Sequence, residues 1–438
     1  MPGHAAMQAW PEWLRGGLAQ YDTTELPSSD DLLHPRTDGP VLQAEELAAD
    51  YWGAGKTLLL TGGSTQGIHT MLSLACERGQ GLWVDRYQHK SVYHACQLQD
   101  LRPAYAQIRQ ILLNALYAGD VEEDGALRSG SEAALALAQA LERLEDEAPD
   151  APALIIQSPD YDGRQLPLRS LAMALHAKGR LLLVDEAHGA IRAGSLYDKR
   201  ALQQGADLVA QSGHKTTAAL TPGAWLHLSK DYLKQAPYAP EQARAILDLT
   251  GTSSPPLLIA ASLDYARWAL VAAEEQLAEK ERAIQGFRQQ LIQETAYYAP
   301  EMPEHVKPWC DPLRLRIYGK QPLQGAALQA RLLAQGMDVE AAGPDYVLLL
   351  VSLYQDSDDL EVLAGVLRED LPGEGNEGYD REMGLRPELT DALPLPEKVY
   401  EPAEALIWQR RERAQGWRLI PWEEAAGEVA LAEVMPYP

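Results

Sequence analysis

Four short stretches combine residue types that bind and activate small molecules. The first is Gln211-Ser212-Gly213-His214-Lys215-Thr216, directly after an apolar run. An amine there can attack a carbonyl carbon once desolvation or nearby cations lower its pKa. Ser212 and His214 can donate hydrogen bonds to an anion. A lone lysine after a strand is usually a solvated side chain, so Lys215 gains meaning only from its neighbours. The second is Asp185, at the end of the run 180–184. A carboxylate there can pair with a protonated ring nitrogen and keep the ring an electron sink; it can equally cap a turn. His188, three residues on, can orient a carboxylate or touch the same ligand. The third is Gly62-Gly63-Ser64-Thr65-Gln66-Gly67, between a strand and a helix. Free N–H groups and the positive dipole end suit a phosphate there, with Ser64 and Thr65 as added hydroxyl donors. The same pattern also makes an ordinary helix cap. The fourth is His89, within Arg86-Tyr87-Gln88-His89-Lys90-Ser91, whose flat imidazole can stack on a planar ring.

These stretches need a scaffold that brings them together. Strand-like runs recur at 57–61, 81–84, 153–157, 180–184, 207–211 and 224–228, with helical patterns at 70–77, 131–147 and 168–178. Such alternation predicts a mainly parallel sheet covered on both faces. Ligands of such sheets sit beyond the carboxyl ends of the strands, where all four stretches fall. A helix over 41–52 ends near Gly53, and a long helix, with room for a break, covers 259–296. Residues 313–367 read strand, helix, strand, strand, helix. The expected plan is an N-terminal arm (1–45), a large domain (46–295), a small α/β domain (296–370), a Gly, Pro and acid-rich linker (371–401) and a C-terminal helical segment (402–438).

The totals narrow the function classes. A chain of 438 residues, nearly half apolar, can bury a substantial core and suggests about two or three domains. A net charge of −25 opposes binding to nucleic acid or anionic membranes, which needs clustered cations. Cys76, Cys96 and Cys310 are too widely spaced for a zinc or disulfide pattern, so no metal site and a reducing compartment are expected. No signal-like N-terminus is visible, and apolar runs such as 347–353 are far short of a membrane span. A soluble cytoplasmic protein is expected. Gly55-Lys56-Thr57 and Asp185-Glu186-Ala187-His188 mimic helicase motifs. However, Asp50 stands where a P-loop needs glycine, and Lys56 precedes a strand instead of following one.

These stretches together resemble the Orn/Lys/Arg decarboxylase family. Further matching stretches are Met1-Pro2-Gly3-His4, Asp22-Thr23-Thr24-Glu25-Leu26, Thr252-Ser253-Ser254-Pro255 and Ala261-Ser262-Leu263-Asp264. The resemblance implies the α/β fold of pyridoxal phosphate fold type I: a large domain with a mostly parallel seven-stranded sheet and a smaller C-terminal α/β domain. It implies that Lys215 holds pyridoxal 5'-phosphate, Asp185 meets the pyridine nitrogen, His89 stacks on the ring and His188 lies near the lysine. Ser64, Thr65, Ser212 and His214 would bind the phosphate. Thr252 and Ser253 would reach the phosphate of a neighbouring subunit, making a homodimer the working unit. The implied reaction removes carbon dioxide from arginine, lysine or ornithine, giving an amine that is a polyamine precursor. An aminotransferase-type reaction on the same cofactor, or a catalytically impaired binding or regulatory subunit, are the alternative readings. The sequence departs from the family pattern at Ala5, Ile191, Leu257 and Ala403. It also ends at Tyr437-Pro438 without the family's closing Pro-Gly segments.

Overall fold

The computed structural model describes residues 30–192, 199–320, 323–356 and 358–368, with Tyr21, Thr23, Thr24 and Pro402. The expectations for residues 1–4, Asp22, Glu25, Leu26, Ala5, Ala403, the linker 371–401 and the segment 402–438 beyond Pro402 lie outside the described residues.

Helix α1 (Pro40–Trp52) starts with a proline, whose missing N–H has no partner to lose in a first turn. It stops where Gly53 turns to φ 72°, a left-handed conformation that glycine adopts without strain. The large domain continues as β1 (Lys56–Leu60), α2 (Gly63–Ala75), β2 (Gly81–Asp85), α3 (Lys90–Gln99), β3 (Arg102–Ala106), α4 (Ile108–Ala118), α5 (Glu132–Glu147), β4 (Ala153–Gln157), α6 (Arg169–His176), β5 (Leu181–Asp185), β6 (Leu208–Ser212) and β7 (Ala224–Leu228). Then come α7 (Lys230–Gln235), α8 (Ala239–Thr250), α9 (Leu257–Val271) and α10 (Glu274–Glu294). The remaining elements are β8 (Tyr297–Tyr298), β9 (Arg314–Gly319), α11 (Gly325–Ala334), β10 (Ala341–Ala342), β11 (Tyr346–Leu350) and α12 (Asp358–Arg368).

The first seven strands form one sheet in the order β1-β7-β6-β5-β4-β2-β3. β7 runs antiparallel to both of its neighbours, and the other pairings are parallel. Successive side chains point to opposite faces of a strand. Leu182 and Val184 therefore join one core with α4, α5 and α6, while Leu183 joins the other with α2, α3 and α8. Burial on both faces is why these strands read as unbroken apolar runs. β8 to β11 form a second, antiparallel sheet in the order β10-β11-β9-β8. A third apolar cluster runs from Trp52, Leu59 and Trp225 through α9 and α10 to Leu315, Val347 and Leu363. It fixes β9 beside the large sheet. We propose the division at 295/296 as the domain boundary, because the second sheet begins at Tyr297.

Several expectations need correction. β3 is absent from the sequence reading. It is an edge strand pairing only with β2, where Pro103 costs no ladder bond. α2 begins at Gly63, ahead of the expected opening near Ile68, so the Gly-Ser-Thr stretch is its first turn. The break allowed for in the helix expected over 259–296 does occur, at Ala272–Ala273, and gives two helices. Among the described residues no helix is long and apolar enough to cross a membrane.

Candidate active site

Parallel strands deliver their carboxyl ends to one edge. β5 ends on Asp185 and β6 on Ser212, and the loop after β6 carries Lys215. Gly213 has no space for a side chain: a Cβ there would lie 2.7 Å from Leu263 Cδ2 and 3.0 Å from Ala219 Cβ. That close packing fixes the turn leading to Lys215. Lys215 Nζ lies 3.2 Å from His188 Nε2. On the far side of the ring, Arg314 Nη2 lies 2.8 Å from His188 Nδ1. Arg314 opens β9 of the second sheet, so the two sheets meet at this imidazole. Tyr161 packs its ring edge-on to His188, with centroids 5.3 Å apart, and its hydroxyl donates to Glu340 Oε1 at 2.7 Å.

Burial dominates the electrostatics. It raises the Asp185 carboxyl pKa, while the Lys215 ammonium and the Ala187 N–H pull it back. Burial lowers the Lys215 pKa; Arg314 lowers it further, and Asp185 and Glu340 oppose them. His188 lies well below the ordinary imidazole value, from burial first and then from Lys215 and Arg314. His89 is pushed down to about 4, by burial and then by Lys215. An amine whose pKa burial pulls down, coupled to a buried carboxylate whose pKa burial pushes up, is an unusual pairing on a protein surface and a common one in a reactive site.

The anion end lies at the start of α2. Ser212 Oγ donates to Ser64 Oγ at 2.9 Å. Gly62 is the N-cap and supplies no side-chain cap, and the first turn carries no acidic residue; Gln66 Oε1 accepts from the Gly62 N–H at 3.0 Å, and the N–H groups that follow are left for a ligand. Gly67 lets this helix sit against β6, where a Cβ would come within 3.1 Å of Ala210 Cβ. Thr65 is exposed. It lines a cavity of about 290 Å³ together with Gly62 and Thr252. Ser253 is exposed and does not line that cavity. His214 spends its Nδ1 on the Gly223 carbonyl at 3.1 Å, leaving Nε2 for other contacts. His89 caps α3, with Nδ1 2.8 Å from Ser91 Oγ and accepting from the Ser91 N–H at 3.3 Å.

A model of the Orn/Lys/Arg decarboxylase major domain matches residues 3–314. The chain belongs to the Orn/Lys/Arg decarboxylase family. The uncharacterized protein YaaO of Bacillus subtilis (strain 168) is 31% identical over 96% of this chain and 81% of its own length. An arginine decarboxylase of Bacillus cereus is 26% identical over the whole of this chain and 90% of its own. Among solved structures, the constitutive lysine decarboxylase of E. coli superposes with a TM-score of 0.65 at 19% identity, covering 84% of this chain. The chain spans 57% of that protein's length. The likeness gives the fold: pyridoxal phosphate fold type I, with its mostly parallel seven-stranded sheet.

The residues of this decarboxylase-family chain fit that cofactor. Asp185 is 1% exposed, and among the described residues its one hydrogen-bond donor is the Ala187 N–H at 3.0 Å. A buried carboxylate with an open oxygen suits a ring N–H⁺. The α2 terminus and the serine pair suit a phosphate, and Lys215, with its pKa lowered by burial, suits an aldehyde. The helicase-like motif dissolves in three dimensions. Glu186 turns away from Asp185 and accepts from Gln211 Nε2 at 2.6 Å and the Ala201 N–H at 3.2 Å. Gln211 in turn bonds His227, whose pKa burial pushes down to about 3. Ile191 is a core residue, and Leu257 opens α9 with its N–H bonded to the Thr23 carbonyl.

Sequence reading missed Arg314, Tyr161, Glu340 and the carboxylate cluster at Asp160. Asp160 accepts from Arg109 Nη2 at 2.6 Å and Arg164 Nε at 2.8 Å. Beside it, Asp162 makes a two-pronged pair with Arg316 at 2.8 and 2.6 Å. One signal was available. Arg314 and Arg316 alternate in an apolar strand, so they share a face and require acidic or aromatic partners there.

Proposed function

We propose that this chain decarboxylates a basic L-amino acid (arginine, lysine or ornithine) with pyridoxal 5'-phosphate, releasing carbon dioxide and an amine. The observation that carries this reading is the convergence of Lys215, whose pKa burial lowers, with the buried carboxylate of Asp185 at one sheet edge. Family membership and the fold support it. When bound, the cofactor supplies an aldehyde and an electron-poor ring that accepts the electrons of the broken carbon–carbon bond. Lys215 would hold the aldehyde. Asp185 would keep the proton on the ring nitrogen, and His89 would cover the ring face. Ser64, Thr65, Ser212 and His214 would bind the phosphate. His188 would lie beside the nitrogen that holds the aldehyde, with Nε2 3.2 Å from Lys215 Nζ.

Glu340 supports a cationic substrate. Its carboxylate is anchored by the Tyr161 hydroxyl and lies near enough to Lys215 to favour positive charge there. It would meet the distal ammonium or guanidinium group. We further propose a homodimer in which Thr252 and Ser253 approach the partner's phosphate. The exposed Tyr265 and Trp268 of α9, with ring centroids 5.7 Å apart, suit such a contact. A cytoplasmic location is proposed from the wide spacing of the three cysteines, which fits no disulfide pattern.

The test is to incubate purified protein and cofactor with each of the three amino acids and measure carbon dioxide and amine. Borohydride reduction followed by peptide mapping should label Lys215. No carbon dioxide from any of the three sinks the reading. Amine consumption that depends on a 2-oxo acid turns it into transamination.

A further inference from the structure

The contacts of His188 have a direction. A guanidinium carries only donors, so the ring atom 2.8 Å from Arg314 Nη2 must accept. Nδ1 is therefore unprotonated, and a neutral imidazole then carries its hydrogen on Nε2. That atom is the one 3.2 Å from Lys215 Nζ. The opposite ring flip would put carbon against both partners and lose both contacts. A donating Nε2–H needs a lone pair on Lys215 Nζ, which only the neutral amine has.

Arg314 has little freedom to do otherwise. Its side chain is 1% exposed. Nη1 donates to the Tyr161 carbonyl at 2.6 Å, and Nε lies 3.6 Å from Asp311 Oδ2. Its stem lies over Gly163, where a Cβ would come within 2.6 Å of Arg314 Cδ. We propose that Arg314 is a positioning residue: it locks His188 in the Nε2–H tautomer, and that hydrogen holds Lys215 as a neutral nucleophile. The role rests on Lys215 being the covalent anchor.

The other charged groups around the pair are known. Asp185, Glu340, His89 and Arg314 act on Lys215, and Asp160, His89, Arg314 and Lys215 act on His188. Asp185 and Glu340 favour the ammonium form of Lys215, and burial first and then Arg314 oppose them.

The first experiment uses the cofactor-free wild-type chain. Imidazole ¹⁵N NMR, with the His188→Gln variant identifying the signals, should show His188 Nδ1 without hydrogen and Nε2 with it. A hydrogen on Nδ1, or a ring averaging between both forms, overturns the proposal without any folding question. The second experiment follows the pH midpoint of borohydride-trappable cofactor loading. Arg314→Met should mix the tautomers and raise the midpoint by about one pH unit, the size of a lost neighbouring cation. Arg314→Lys, which keeps a donor and a charge, should stay near wild type. Arg314→Gln, which keeps a donor without the charge, should hold the tautomer and shift the midpoint part-way. A folded Arg314→Met chain with tautomer and midpoint unchanged overturns the proposal. If wild type loads no cofactor at any pH, the functional reading fails while the tautomer measurement still decides the role of Arg314.

Discussion

Asp160 and Asp185 are buried carboxylates at the same edge of the same sheet, yet their surroundings differ in kind. Asp160 has both oxygens engaged. Oδ2 meets Arg109 and Arg164, and Oδ1 accepts the N–H groups of Asp162 and Arg164. Burial would raise its pKa, but Arg164 and Arg109 overcome that and hold it well below its ordinary value. Asp185 has one amide donor and a lysine nearby, and burial wins, so its pKa rises. A carboxylate whose lone pairs are all taken by the protein is structural. A buried one with an open oxygen is set up for a partner the chain does not supply.

Substitutions can break this contrast. The largest effect should come from Asp160→Asn, which leaves two guanidinium groups short of their counter-charge. A loss of about 3–5 kcal/mol is expected, measured by denaturant unfolding. The sign with pH follows from the depressed pKa. Wild-type stability from Asp160 is complete above its ordinary value of 3.8 and is lost as pH falls toward the lower folded value. The gap between wild type and variant should therefore close in acid. A gap that stays constant down to the lowest pH would remove the contrast.

Asp185→Asn should do the reverse. Stability should hold, while carbon dioxide release falls by about 10²–10³-fold, the scale of one lost electrostatic contact to the reacting system. Equal losses of stability in both variants would show that the two aspartates do the same job. Next is the anion end. Replacing Ser64 and Ser212 together with alanine should weaken cofactor affinity about fivefold, from a hydrogen-bond contribution of about 1 kcal/mol; fluorescence titration reads it. The smallest change should be Glu340→Gln. KM for the preferred basic amino acid should rise about two- to fivefold with kcat nearly unchanged, as for a solvent-exposed ion pair. A change in kcat alone would move Glu340 out of substrate recognition.

The two halves of the site were unequally legible. Lys215, Asp185, His188, Ser64 and Ser212 sit in short stretches beside apolar strands. There, strand period fixes the face and the end of the run fixes the edge. His89 was placed near the site, but its cap on α3 was not foreseen, because that helix is rich in polar residues and offers no apolar run to read. The expected start of α2 fell late, because Gly62 and Gly63 look like loop residues in isolation.

The sequence alone determined that a lysine, an aspartate and a hydroxyl-lined helix start would share one sheet edge, since local pattern dictates where each strand ends. Only the tertiary structure decided what surrounds them. Arg314 reaches His188 across 126 residues, Tyr161 meets Glu340 across 179, and Arg109 meets Asp160 across 51. The first two partners are chosen by how the second sheet packs against the first through the shared apolar cluster, and the third by how α4 packs on the large sheet; no spacing along the chain encodes that docking.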